Sequence, residues 1–384
     1  MASKGSSEAL DKSFDIARKR TFMVGINPFI PEREVNVRFV CSALLMVIVY
    51  ILCFYTIWEL RSDLAKVAEV CLALLLVMQG SNKIWVGFVH KSRYYQLFHD
   101  TAIIYENFDA DERNRPILKD TVDKLALALK GMVLLYGTAG SLMMILVVLV
   151  SVVTGEKFYF LTLYIPSVDY TTTLGFVITT CMHMILISYW LNGYLASDTT
   201  FMSNIMPIIG YANSFRNEII NFNQMLQVPD RNEKEIAAKL VHICQLHQLI
   251  VTYEENAIQH FKSGNLIQVG LQACTILGTV FMFYIYRYLP ALSMMVAVLF
   301  ELTQFCALGT IVTAKNDQML IDIYEINWHL LKKPQQQIVA FMLFKSQNAK
   351  DLTAGGFAPL NMVTYVQVLK TIYTFLAMLL TVLE

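Results

Sequence analysis

The chain has 384 residues, of which 56% are apolar and 16% charged, and its formal net charge is zero. This composition excludes an ordinary soluble domain and indicates a protein that crosses a membrane several times. The balanced charge gives no overall basic field, so nucleic acid is not a predicted partner.

The first third of the chain predicts a polar tail and two membrane spans. Residues 1–34 hold no short apolar core, so we predict a cytosolic tail along the membrane surface rather than a cleaved signal peptide. The run Phe39–Trp58 is 20 residues long, enough to cross a hydrocarbon core of roughly 30 Å. The second span joins Val67–Met78 to Ile84–Val89 through a predicted break at residues 80–83, which neighbouring helices would shield.

The middle of the chain predicts three further spans and a long helix. Gly131–Val153 and Leu174–Ala196 are spans three and four, and the aromatic connection 154–173 is predicted to fold over the helix ends as a lid. Apolar side chains then recur at spacings of 3 and 4 from Ile236 to Phe261, which predicts an amphipathic helix that continues into span five, Leu266–Leu289. A helix from 233 to 286 would be about 80 Å long, so it must project beyond the bilayer and pack there. A plain surface helix is the alternative.

The last two spans contain the features that bear most on function. Span six is Ala291–Ala314 and span seven is Pro359–Leu383. One face of span seven carries a polar stripe, which consists of Thr364, Gln367, Thr371, Thr374, Met378 and Thr381. Hydroxyl and amide groups avoid lipid because each costs about 1–3 kcal/mol without a partner. The stripe is therefore either a seam between helices or a pore wall, closed by dewetting at Phe375, Met378 and Val382.

The distribution of basic residues predicts the orientation in the membrane. The segments on the same side as the N-terminus hold 25 of the 30 Lys and Arg residues. The positive-inside rule then places the N-terminus in the cytosol and the C-terminus outside. Glu301 in span six and Lys370 in span seven each lie about ten residues from the start of their span, and each costs about 2.5–3.5 kcal/mol at the centre of a span. We predict that they pair; alternatively, Lys370 borders the pore.

The C-terminal part also resembles a known family. The run SQNAKDLTAGGFAPLNMVTYVQVLKTIYTFL, which begins at Ser346, follows Tyr324-Glu325, Asn327-Trp328 and Gln335-Gln336-Gln337 in order. Together they resemble the C-terminal signature of insect odorant receptors. The resemblance implies a seven-helix subunit of an odorant-gated cation channel whose last helix lines the pore. It further implies assembly with the family's common co-receptor as a heterotetramer in the plasma membrane of a sensory neuron, with this chain as the ligand-specific member.

A small volatile odorant is the ligand that this resemblance implies, and its pocket should be enclosed and mostly apolar. We predict it in the outward halves of spans two, three, four and six, beneath the lid. The candidate residues are Leu72, Ala73, Leu76, Ser141, Ile145, Val148, Phe176, Thr180, Tyr288 and Met294. No cofactor and no metal site are predicted, since no cluster of metal ligands has the required spacing.

Other classes are weaker interpretations. A gustatory receptor channel is the nearest alternative, but Thr364-Tyr365 lacks the Gln-Phe pair that usually follows there. A G-protein-coupled receptor is disfavoured by the predicted orientation, a transporter by the lack of internal repeats, and an enzyme by the lack of a nucleophile–base constellation.

The sequence thus predicts an all-α membrane protein with seven transmembrane helices, a cytosolic N-terminus, an extracellular C-terminus and cytosolic helical extensions. Its predicted parts are a tail (1–34), spans one to four with the ligand site (35–196), a helical extension or anchor (197–265), spans five and six (266–313), a cytosolic segment (314–358) and the pore helix (359–384).

Overall fold

The computed structural model describes residues 5–31, 35–155 and 157–383, and most of them are helical. The helices are α1 (Gly5–Val24), α2 (Val37–Glu59), α3 (Leu64–Val89), α4 (Lys91–Asp109), α5 (Arg115–Thr154), α6 (Thr173–Ile205), α7 (Pro207–Leu226), α8 (Glu233–Tyr286), α9 (Pro290–Tyr324), α10 (Lys333–Gln347) and α11 (Met362–Leu383). A 3-10 turn, Trp328–Leu330, precedes α10, and strands β1 (Thr353–Ala354) and β2 (Ala358–Pro359) form an antiparallel pair before α11.

Seven helices in the described ranges are long and apolar enough to cross a membrane, which confirms the predicted number of spans. They are α2, α3, α5, α6, α8, α9 and α11. Several extend well past the predicted spans, because their polar ends pack against other helices instead of ending at the membrane surface. The predicted tail contains α1, which packs across α5 and α6; residues 1–4 and 32–34 lie outside the described residues.

The predicted break in span two is wrong, because α3 is one continuous helix. Its polar residues at this point all face protein. The Tyr50 hydroxyl donates to Ser81 Oγ at 3.1 Å, and the Asn82 amide donates to the Gly264 carbonyl oxygen at 3.4 Å. A helix can keep such residues in a membrane when neighbouring helices supply their partners.

The bundle has two different ends. At the loop end, short connections join α2 to α3 and α8 to α9, and the longer connection 155–172 joins α5 to α6. At the opposite end, which we call the base, α4, α7, the first half of α8, the end of α9 and α10 pack around a separate core. The largest fully buried side chains of this core are aromatic: Tyr105, Phe108, Tyr211, Phe215, Phe222 and Tyr253.

The 54-residue helix α8 confirms the prediction of one long helix that serves both base and bundle. It begins at Asn232, whose side chain accepts a hydrogen bond from Lys234 N at 3.1 Å. Ile236, Leu240, Ile243 and Ile250 are all buried in the base core. The alternative of a plain surface helix is therefore wrong.

The β1–β2 hairpin positions the start of α11. Its turn uses Gly355 and Gly356 at φ +67° and +82°, a region that favours glycine. Gly355 N donates to the Lys262 carbonyl oxygen at 2.9 Å, which ties the hairpin to α8. On the other side, a Cβ at Gly309 of α9 would lie 1.7 Å from the Leu360 carbonyl oxygen. The chain thus enters α11 in direct contact with both helices.

Candidate functional site

The connection 155–172 enters the loop end of the bundle instead of covering it from outside. Phe160, Leu161 and Leu163 are buried in an apolar cluster that we call the loop-end cluster. The other buried members come from five helices and are Val49, Cys53, Val70, Ala73, Val77, Val147, Leu186, Ile187 and Met294. This part of the connection, residues 158–164, therefore fills the space between α2, α3, α5, α6 and α9; we call it the plug.

Hydrogen bonds with residues of α2, α6 and the α8–α9 connection hold the backbone of the plug. Tyr288 Oη donates to the Phe160 carbonyl oxygen at 2.9 Å, and Tyr164 N donates to Thr56 Oγ1 at 3.0 Å. The ring of His183 lies with Nε2 3.0 Å from the Leu163 carbonyl oxygen. Because that oxygen can only accept, Nε2 carries the proton and donates.

Side chains at the edges of the connection add further contacts. The Thr162 hydroxyl donates to the Glu69 carboxylate, and the ring of Tyr164 stacks on that of Tyr170 with centroids 4.2 Å apart. Burial raises the pKa of the Tyr164 hydroxyl to about 12, so this group stays neutral. Hydrogen bonds from Thr171 hold the pKa of Asp169 below its usual range.

A small cavity of about 10 Å³ lies between the plug, α5 and α6. Its lining is aromatic and apolar with two polar residues: Met144, Val147, Tyr159, Phe160, Thr180, His183, Met184 and Ile187. Thr180 Oγ1 is buried and has no hydrogen-bond partner among the described residues. The cavity therefore combines aromatic rings with an unused hydroxyl.

The structure brings only part of the predicted ligand residues to this place. Ala73, Leu76 and Met294 lie in or against the loop-end cluster, Thr180 lines the cavity, and Phe176 contacts the ring of Tyr159. Leu72 and Tyr288 belong to an adjoining cluster between α3, α8 and α9. Ser141, Ile145 and Val148 instead lie on the exposed face of α5, with Ile145 61% and Val148 40% exposed. A role for these three in a pocket of this subunit is not supported.

The last helix, α11, contacts the rest of the chain through one face only. Ile372 is buried against Ile276, Val298, Leu302 and Cys306 of α8 and α9. The opposite face is exposed and contains Gln367, Lys370, Thr371, Thr374, Phe375 and Met378. Thr371 and Thr374 donate to carbonyl oxygens of their own helix, at 2.9 and 3.0 Å. The side chain of Val382, the last predicted gate residue, lies outside the described residues.

The predicted pairing of Glu301 with Lys370 is wrong. Glu301 Oε1 lies 2.5 Å from Lys83 Nζ of α3, and Lys83 also pairs with Asp198 of α6. These three side chains are at most 3% exposed. Lys370 is on the exposed face of α11 and has no ion pair within the described part of the chain.

Neutral groups from two further helices complete this buried charge cluster. Tyr136 Oη donates to Asp198 Oδ2 at 2.8 Å, and Gln268 Nε2 donates to Glu301 Oε1 at 2.9 Å. Sequence reasoning missed Lys83 and Asp198, since they fell into the presumed break of span two and into the presumed polar segment after span four. A charge within one helical turn of an apolar run was the signal that could have identified both.

Comparisons with known proteins agree with this architecture. The structure of the insect olfactory receptor OR5 from Machilis hrabei in complex with eugenol is similar with a TM-score of 0.77 and 15% sequence identity, over 98% of each chain. A second structure of that receptor gives a TM-score of 0.78 and 14% identity, over 98% of this chain and 100% of the other. The family model for the 7tm odorant receptor matches residues 63–373. With most of its length matched, the chain belongs to the 7tm odorant receptor family.

Proposed function

We propose that this protein is the ligand-specific subunit of an odorant-gated, non-selective cation channel. In this proposal it assembles with a co-receptor as a heterotetramer in the plasma membrane of a sensory neuron and binds a small volatile odorant at the loop end. The excess of Lys and Arg in the segments that share a side with the N-terminus supports a cytosolic N-terminus and an extracellular loop end.

The polar face of α11 carries this proposal. This face points away from the protomer, opposite the face that holds Ile372. Exposure of Gln367, Thr371 and Thr374 to lipid would be unfavourable, because hydrocarbon offers the amide no partner. A water-filled axis shared by several subunits would satisfy these groups. The seam interpretation would require them to contact another helix of the same chain, and α8 and α9 contact the other face.

The gate is proposed at the end of α11 that lies towards the loop end. Phe375 and Met378 are 48% and 54% exposed on the free face, and Val382 follows one turn later. Apolar rings of this kind close a pore by excluding water from it. Widening of the ring by movement of α11 would rehydrate the pore and allow ions to pass.

Helix α9 supports a direct route from ligand to gate. Its residue Met294 lies in the loop-end cluster, while Val298 and Leu302, one and two turns further on, pack with Ile372 of α11. A ligand can shift this equilibrium only if it binds the open arrangement better. Displacement of α9 at Met294 would move the surface on which α11 rests.

Cysteine accessibility under voltage clamp tests the proposal. The chain is expressed with and without an odorant receptor co-receptor, and a panel of volatile aromatic and aliphatic compounds identifies an agonist. Thr374→Cys should then be blocked by a charged thiol reagent only while the agonist is present, whereas Leu369→Cys on the packed face should not react. Agonist currents with no block at residue 374 would contradict the pore assignment, and a lack of current in every combination would contradict the channel.

A further inference from the structure

We propose that the plug is a built-in occupant of the ligand pocket and that its residue Phe160 marks the subsite of the ligand. The class of ligand is then a small molecule with an aromatic or compact apolar body and one oxygen that accepts a hydrogen bond from Thr180. This inference rests on the proposed function only for the identity of the pocket, since binding at the subsite does not require the chain to conduct ions.

The first observation is the lack of space. Small-molecule pockets usually enclose roughly 300–1,000 Å³, whereas the cavity beside Phe160 holds about 10 Å³. Phe160 itself is 7% exposed and lies among side chains of five helices. A molecule the size of an odorant can occupy this enclosed site only where the plug is now.

The second observation is how the plug is attached. Side chains bind its backbone at Phe160, Leu163 and Tyr164, and none of these bonds belongs to a helix or sheet. Apolar burial and a few side-chain bonds hold it, so it can leave as a unit without unfolding a secondary structure. Gly155, with φ +70°, ends α5 and starts the connection. The plug is thus built like a ligand that remains covalently joined to the receptor.

The chemistry that the plug leaves behind defines the ligand. When Phe160 withdraws, Tyr288 Oη loses the carbonyl oxygen to which it donates, and His183 Nε2 loses that of Leu163. Buried donors without acceptors are costly. Thr180 Oγ1 already lacks a partner in the described structure. A ketone, ester, ether or phenol oxygen supplies the acceptor that Thr180 Oγ1 lacks even while the plug backbone is in place, and the apolar body of the ligand replaces the ring of Phe160.

The experiment creates the vacancy without removing the plug. Truncation of a buried aromatic ring leaves an apolar cavity, and such cavities of about 150 Å³ bind benzene-sized molecules. We choose two probes of nearly equal shape: acetophenone, which has an acceptor oxygen, and α-methylstyrene, which has a methylene group in its place. Binding is measured as the rise in the unfolding midpoint of the purified, detergent-solubilised full chain with probe concentration.

Phe160→Ala should bind both probes at least tenfold more tightly than the wild type. Tyr288 still donates to the retained carbonyl oxygen of residue 160, so the free donor beside this vacancy is Thr180 Oγ1. Thr180→Val in this background should weaken acetophenone about tenfold and leave α-methylstyrene unchanged. The matched control is Phe201→Ala, which opens a cavity by the same truncation in the base core, where Phe201 stacks on Phe305 and contacts Phe261 edge-on. In this control, Thr180→Val should not change the binding of either probe.

Equal binding of the probes to the wild type and Phe160→Ala would overturn the subsite. Equal loss of both probes on Thr180→Val in the Phe160→Ala background would overturn the requirement for an acceptor oxygen. If Phe160→Ala does not fold, Phe160→Leu, which leaves a smaller vacancy, is subject to the same comparisons. Because the readout is binding to a single chain, it is independent of conduction. Absence of currents would therefore refute the channel and leave the subsite standing.

Discussion

Lys83 and Glu301 form an ion pair of 2.5 Å in the interior of the bundle, with side chains 3% and 2% exposed. Asp198 contacts the same ammonium group, so one cation faces two carboxylates. The three residues join α3, α6 and α9, which are three of the five helices that surround the plug. The effect of each substitution on the free energy of unfolding should therefore depend on whether it removes the one cation or one of the two carboxylates.

Removal of the cation should be the most damaging change. Lys83→Met leaves two buried carboxylates without a counter-ion, and loss of one partner of a buried pair costs about 3–5 kcal/mol. The expected result is a strongly lowered unfolding midpoint and poor delivery to the cell surface. Lys130→Met, which removes an exposed lysine of α5, should change neither quantity. If the unfolding midpoint of Lys83→Met equalled that of the wild type, the three charges could not be buried together.

Removal of one carboxylate should be much milder. Glu301→Gln leaves Lys83 paired with Asp198 at equal charge, and the amide oxygen still accepts from Gln268. We expect a loss of at most about 1.5 kcal/mol, comparable to one neutral hydrogen bond. The double variant Lys83→Met/Glu301→Gln should be no less stable than Lys83→Met alone. Should Glu301→Gln prove as damaging as Lys83→Met, charge balance would not govern the cluster.

The sequence predicted the seven spans and the length of α8, because long apolar runs and spacings of 3 and 4 report directly on burial. It did not predict the partner of Glu301. Residues 80–83 resemble a helix break, and only the positions of Tyr50, Gly264 and Asp198 reveal that each polar side chain there has a partner. These partners are 31, 182 and 115 residues away along the chain, so they leave no local pattern.

The loop-end cluster was predicted only in part for a similar reason. The aromatic character of 158–164 indicated a covered position, but its hydrogen bonds with Tyr288, Thr56 and His183 depend on three other parts of the chain. On α5, apolar residues occur all around the helix, so periodicity could not distinguish its inward face. Val147 is therefore buried where Val148 was predicted.

Substitution of a buried residue beside the plug should alter ligand potency, whereas substitution of an exposed residue of α5 should not. Ile145 is exposed, so Ile145→Ala should leave the half-maximal agonist concentration within twofold of the wild type. Met294 is 4% exposed beside the plug, and Met294→Ala should shift this concentration at least tenfold, the equivalent of about 1.4 kcal/mol. Dose–response currents normalised to surface expression measure both. If Ile145→Ala shifted the half-maximal agonist concentration more than Met294→Ala, the pocket would have to lie on the exposed side of α5.

The proposed gate predicts a rise in current without ligand. Met378→Ser places a hydroxyl in the apolar ring, which should hydrate the closed pore and increase the basal current several-fold. Leu376→Ser is the matched control, because Leu376 lies within one turn of Met378 but is half-buried on the same side of α11 as Ile372, and it should not raise the basal current. Basal current is measured as the fraction removed when external cations are replaced by an impermeant organic cation. Unchanged basal current in Met378→Ser at normal surface expression would contradict this gate.

The contact between Gly309 and Leu360 predicts a variant that uncouples α11 from the bundle. In Gly309→Ala the new Cβ would lie 1.7 Å from the Leu360 carbonyl oxygen, so the hairpin and the start of α11 must move. Overpacking of this kind costs about 1–3 kcal/mol, and agonist currents should fall while ligand binding at the loop end persists. Gly270→Ala is the matched control, because a Cβ there meets no atom within 4 Å. Alanine in a helix interior should instead stabilise α8 by about 0.5–1 kcal/mol. If Gly309→Ala gave normal agonist currents, the contact between α9 and the start of α11 would not control the pore.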